Sequence, residues 1–474
     1  MGFFSRLFKK ASKGLDIKIK QDNNGTKYAA VCGIGTCKDE RIIIPDKFEG
    51  VEVSTLESLA FYKTNVKEIT FNKYIKNAFN AEMDNVNFNA VIHVPKNNPY
   101  FEEINGVVYE KAGRIFFIPK QFEGTLKLPE YIKRVYSSQF RSTNAMTGLV
   151  LGPNIEEFEG CFIGNTSIKH IELDPSNPNF EMVDGVIYTK DHHTIVFVSR
   201  ELEGEFVVPE EVTRLGEGAF SGSRLSKVTI PVSVEEIGYD CFDGSYIQEL
   251  VFLEGSTVVQ PEDLGELNGL RRVVIPGDTE LDEMQGFFIA APKLEEIELI
   301  GECSKLALDS YGALYSKDYS ILYRYPPMQE NYRYDVHPNT KTIGYCALRD
   351  AKLVDLLHLS SKLETIGMEA FRNMERISIV VLPSGIDTID NGVFLDCSGL
   401  RQINFTPNMT AVGRNAFKGT QLHQVNCNTT PQKFKSIWVD SGNEPFLNAK
   451  LNIFVFDDEK AFTGYKYVEK GQKY

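Results

Sequence analysis

Apolar and polar positions between Val208 and Phe252 follow one pattern written twice. Within Leu225–Ile230, Leu225, Val228 and Ile230 are apolar, while Lys227 and Thr229 between them are polar. That near-alternation predicts a strand with one buried face. A proline ends it, then a Val-x-x-Ile-Gly step and a small residue followed by Phe. Pro209 recurs as Pro231, Val212 as Val234, Leu215 as Ile237, Gly216 as Gly238, Phe220 as Phe242 and Gly222 as Gly244, all offset by 22 residues. A fixed period of this size marks one supersecondary unit per repeat, stacked so that neighbours bury what one unit cannot. The glycine of the Ile-Gly step is expected to supply a backbone conformation other residues resist. The small-then-Phe pair is expected to build an aromatic ladder. Each turn then lays a strand on one face and an irregular or short helical segment on the other.

The same text extends along the chain. Leu128–Phe140 and Gly152–Phe162 are two more units, with Phe140 and Phe162 again 22 apart; Leu348, Phe371, Phe394 and Phe417 are spaced by 23. Residues 253–300 keep only the outline. We count about ten to twelve repeats. Three inserts at residues 97–119, 176–198 and 306–326 share a turn residue before Gly, an alternating strand through Tyr109, Tyr188 or Tyr315, a Lys-containing turn and a second apolar strand. These predict β-hairpins that replace a segment of a repeat. The expected organisation is a terminal segment over 1–27, a solenoid over 28–430 and an atypical closing cap over 431–474. In residues 1–13, Phe3, Phe4, Leu7 and Phe8 alternate with Arg6, Lys9, Lys10 and Lys13. That pattern allows weak membrane-surface contact, but its shortness favours a frayed or docked end.

Bulk composition narrows the function classes. The 474 residues are 42% hydrophobic and 24% charged, with formal net charge −14. Such a chain folds, and its acidity argues against nucleic acid as a partner. No run is long enough to predict a transmembrane helix. The first residues lack the apolar core of a secretory signal, so a cytoplasmic location is expected.

The repeat carried by Pro209, Val212, Gly216, Ala219, Phe220, Leu225, Val228 and Ile230, with its copies out to Phe417, resembles that of the BspA-type leucine-rich repeat family, close to the treponemal leucine-rich repeats. The hairpin text Asp184-Gly185-Val186-Ile187-Tyr188 is similar to insertions common in that family. The resemblance spans roughly residues 28–428. It implies a mainly β, right-handed leucine-rich repeat solenoid with 22–24-residue repeats. It also implies protein binding or bacterial adhesion to a host matrix protein or carbohydrate, with a cell-surface or secreted location as the alternative to cytoplasm.

Reactive side chains are sparse in pattern. Cys161 and Cys241 fall in the small-residue slot before Phe, and Cys346 lies near it, which makes them buried hydrophobes. Cys32 and Cys37 form a close pair, but further ligands for a metal are missing. His192 and His193 sit at a hairpin tip and read as polar filler. No nucleophile elbow, phosphate loop or HExxH spacing occurs, so we expect no catalytic residue, cofactor or metal, and no enzyme. The better candidate is the outward row of each strand, which a solenoid presents side by side to a protein partner. Those residues are His170, Glu172, Lys227, Thr229, Glu249, Val251, Arg272, Val274, Glu296, Glu298, Gln402, Asn404, Gln424 and Asn426, with exposed Ile379 and Val381 between them. Apolar residues in an exposed row mark partner sites in some proteins and are plain strand formers in others.

Overall fold

The computed structural model describes residues 11–456, apart from 58–59, 62–63, 79–90, 141–142, 144, 160–166, 257–263 and 283–287, together with 462–467. The membrane-surface reading of residues 1–13 falls almost wholly outside them. The chain divides into two compact units, residues 1–202 with 216–221, and residues 203–215 with 222–474.

In the first unit, Asp16–Gln21 runs antiparallel to Lys27–Gly33, which pairs in parallel with Val51–Leu56. Residues 16–27 are therefore part of the folded unit, which corrects the expected terminal segment over 1–27. The physical cause is the fully buried stretch Ala29–Val31, whose strand would otherwise leave an open edge. Two series of parallel strands follow. One contains Arg41–Ile43, Glu68–Thr70 and Val91–His93, and then Gly124–Lys127, Met146–Leu151 and His170–Leu173. The opposite series has strands of two residues, such as Arg134–Val135 and Glu157–Phe158.

The second unit repeats this plan. Glu203–Val207, Arg224–Ile230, Glu249–Phe252, Arg272–Pro276 and Glu296–Ile300 lie in parallel register. Ile379–Val381, Gln402–Phe405, Gln424–Cys427 and Lys450–Phe456 form a later sheet, closed by antiparallel Phe462–Tyr467. On the other face stand Thr342–Ile343 with Thr365–Ile366, and Thr388–Ile389, Ala411–Val412 and Trp438–Val439. The expected irregular or helical face is thus mostly a second ladder of very short strands. Helical turns among the described residues are limited to Ser137–Phe140, Pro431–Lys435 and Glu444–Leu447.

Each of the three inserts is a three-stranded antiparallel meander. The first two turn on Asn105-Gly106 and Asp184-Gly185, with φ of 51° and 84°, and 47° and 83°. Both central residues are left-handed, the geometry that matches strand twist and favours Asn-Gly and Asp-Gly.

The core holds the expected aromatic ladder. Phe371, Phe394, Phe417 and Phe446 stack in series, with centroids 5.4 Å apart at each step. The Ile-Gly glycine plays a different part from the one expected. Gly216 and Gly367 do not have positive φ. A Cβ on Gly367 would instead meet the backbone of Gly344 and Tyr345 at 2.8 Å, and one on Gly216 would meet the Ile195 carbonyl oxygen at 3.0 Å. The glycine lets successive turns approach. Left-handed backbone lies two residues on, just before the small-Phe pair, at Asp240, Cys346, Glu369 and Asn415, with φ of 52–55°.

Candidate functional site

The long-strand faces carry the candidate row, and the structure sorts it into zones. In the first unit, His170 and Glu172 project from His170–Leu173 into solvent. His170 Nε2 is 3.1 Å from Glu172 and its Nδ1 is 3.4 Å from Glu201. The hydrogen bond to Glu172, then that to Glu201, raises the imidazole pKa above its ordinary value.

In the second unit a row of alternating sign crosses the sheet: Glu205, Lys227, Glu249, Arg272 and Glu296 are aligned by register. Lys227 Nζ lies 3.4 Å from Glu249, and Arg272 Nε lies 3.4 Å from Glu296. Arg272 also bonds to Glu249 and Glu298. The row beside it holds Thr229 and Val251, half-buried, and Val274. Val274 is buried, which corrects its place among the outward candidates. It stands in register with Val251 and Glu298, and the diagonal Arg272–Glu298 pair runs past it.

Toward the C-terminal end the outward groups are amides. Asn452 donates to Asn426 at 3.0 Å and Asn426 to Asn404 at 2.7 Å; Gln402 and Gln424 donate to Asn404 and Asn426 at 3.1 and 2.9 Å. Asn426 is buried inside this ladder and is the second candidate to be corrected. Its two amide neighbours in register cover it.

Between the charged and amide zones lies an open apolar patch. Leu356 is 55% exposed, Ile379 50% and Val381 58%. Leu356–His358 lies beside Ile379–Val381. Its far neighbour, Arg333–Asp335, places Asp335 2.6 Å from His358 Nδ1 and 2.9 Å from Arg333 Nε. Arg333, Asp335 and His358 are engaged with one another, whereas Leu356, Ile379 and Val381 meet solvent. Leu356 is absent from the sequence candidates, although it sits 23 residues before Ile379 and the spacing could have found it.

The reactive groups are built into the fold. Cys241, Cys346, Cys397 and Cys427 are buried and form no disulfide, and Cys161 lies outside the described residues. His192 is more than polar filler: at φ 61° its ring stacks on Tyr188, with centroids 5.1 Å apart, and bonds to Glu181 at 3.0 Å. Among the described residues no group of three His, Cys, Asp or Glu side chains is arranged to hold a metal ion, and no helix is long and apolar enough to cross a membrane.

Residues 194–313 and 332–440 match the BspA type leucine-rich repeat region in six copies. No curated protein matches the chain. Solved structures similar to it include a leucine-rich repeat protein from Eubacterium ventriosum, at 16% identity, 70% coverage of this chain and 80% of that one, and a TM-score of 0.44. The pneumococcal vaccine antigen PcpA is 16% identical, with coverage of 76% and 89% and a TM-score of 0.45. A leucine-rich cell surface protein from Faecalibacterium prausnitzii is 16% identical, with coverage of 90% and 97% and a TM-score of 0.39.

Proposed function

Because the chain belongs to the BspA-type leucine-rich repeat family through residues 194–313 and 332–440, we propose that it is a non-enzymatic scaffold that binds a protein partner on the long-strand face of its second unit. The observation that carries this reading is the exposed strip of Leu356, Ile379 and Val381, set among neighbours whose polar groups are already engaged. Apolar side chains held outward on a rigid sheet gain most by burial against a partner, and ion-paired rims contribute orientation more than affinity. The partner expected is a protein segment with apolar side chains at its centre.

Site-specific photocrosslinking in the native cell tests this. A crosslinker at Ile379 should capture one defined protein, and one at the opposite-face position Thr388 should not. Capture of the same proteins from both positions, or of none from Ile379, overturns the reading. Family membership supports a second reading, adhesion to a host matrix protein or carbohydrate at the bacterial surface. Protease shaving of intact cells that leaves the whole protein uncut would remove it.

A further inference from the structure

The third hairpin departs from the other two at one buried position. The registers agree strand for strand: Val108 faces Phe117, Ile187 faces Phe197 and Leu314 faces Arg324, each beside the same irregularity. An aromatic slot therefore holds a guanidinium. Arg324 is 0% exposed, and burial pushes its pKa down to about 10, so it is still a cation at neutral pH. Its Nη1 donates to the carbonyl oxygens of Cys346 at 2.8 Å and Arg349 at 3.3 Å. Nε and Nη2 have no hydrogen-bond partner among the described residues. These two nitrogens form the flat edge with which arginine grips anions side-on.

The nearby carboxylates are bonded elsewhere and leave that edge without an acceptor. Glu369 is taken by Arg372 at 2.8 Å and Arg349 at 3.5 Å. Asp350 accepts from Asn373 at 2.6 Å and lies 3.7 Å from Arg349. Asp350 acts on Arg324 only through space, and neither Asp350 nor Glu369 bonds to its Nε–Nη2 edge. The Cys346 thiol is 3.9 Å from the Glu369 carboxylate, and burial raises its pKa, so it adds no negative charge there. A second departure accompanies the first. The next turn places Leu348 where Phe220, Phe242, Phe371, Phe394 and Phe417 stand in other repeats, and leucine is the smaller side chain. Buried guanidinium donors without an acceptor are unfavourable, and an anion held between them answers both.

We propose that the Nε–Nη2 edge of Arg324 binds one small monovalent anion of the halide class, chloride in ordinary media, as an internal structural ligand of this part of the solenoid. A ligand bound only by the folded state raises its stability in a saturable way. Crystals of the full chain grown in sodium bromide should show an anomalous peak within hydrogen-bonding reach of both nitrogens. In solution, the thermal midpoint should rise by several degrees with sodium chloride over sodium gluconate at equal ionic strength. The Arg324→Phe variant, which restores the slot of Phe197, should lose that response. No anomalous peak at Arg324, a water there instead, or an equal chloride response in the variant overturns the proposal. If the variant does not fold, the bromide measurement on the native chain decides alone.

Discussion

Asn98 and Asn177 are the residues by which one turn is locked to the turn before it. The Asn177 amide donates to the carbonyl oxygens of Gly152 at 3.3 Å and Ile155 at 3.1 Å, while its oxygen accepts from the backbone of Asn179 and Phe180 at 2.8 and 2.9 Å. Asn98 makes the same four kinds of bond one repeat class earlier. Both are 1% exposed. Stranding a buried polar group costs about 1–3 kcal/mol. Asn177→Ala strands several at once and should lower stability by at least about 2 kcal/mol, read as a drop in urea midpoint with unchanged slope. Asn177→Asp, which turns a buried carboxylate oxygen toward two carbonyl oxygens, should lose at least as much; a native midpoint in either variant would sink this account. Gly367→Ala should cost about 1–3 kcal/mol through overpacking against Gly344, although its φ is ordinary. An unchanged midpoint would show that the turns have slack there. His170 adds a pH term. Its folded pKa is raised, so its contribution is fully present below the unfolded value of about 6.5 and is lost as pH rises through the folded value. An NMR titration should place His170 above about 6.5 in the native chain and lower it in Glu172→Gln; a native value at or below that mark refutes the pairing.

The elements show which parts of the fold were readable in sequence. The repeat period gave strand register directly, since Lys227, Glu249, Arg272 and Glu296 align in the sheet at the spacing of the text. Asn-Gly and Asp-Gly announced two hairpins because few other pairs tolerate two left-handed residues. The buried asparagines lie outside what alternation reads, although Asn-Pro recurs before both hairpins at Asn98-Pro99 and Asn177-Pro178. Strand alternation put Val274 and Asn426 in the outward row and could not tell that they are buried there. Leu356, 23 residues before Ile379, was within reach of the spacing but not of alternation alone. The aromatic ladder was legible as spacing and has an energetic consequence. Phe394 stacks between Phe371 and Phe417, so Phe394→Ala removes contacts on both sides and should cost about 3–5 kcal/mol. In a stacked array the damage spreads to the adjoining turns first. Hydrogen exchange should therefore rise at Thr365–Ile366 and Ala411–Val412 before it rises at Arg224–Ile230; a uniform rise along the chain would argue against local coupling.

On the scale of the molecule, the long-strand faces divide polar groups that satisfy one another from apolar groups that do not. Lys227, Glu249, Arg272, Glu296 and Glu298 are linked by ion pairs, and Asn404, Asn426 and Asn452 by amide bonds. A partner that displaced either set would have to replace bonds already made, which leaves little net gain. Leu356, Ile379 and Val381 have no such competition. Their burial contributes at roughly 25 cal/mol per Å², and central, desolvated positions are where binding energy concentrates. The two kinds of zone should therefore fail differently. Against the partner captured at Ile379, Ile379→Glu should weaken equilibrium binding by more than about tenfold, mostly through faster dissociation. Glu296→Lys should change the association rate and its salt dependence while leaving affinity at high salt nearly unchanged. Surface plasmon resonance at two ionic strengths separates these outcomes. If Glu296→Lys abolishes binding at high salt and Ile379→Glu leaves it intact, the charged ladder is the docking surface and the apolar strip is only a stretch of strand formers.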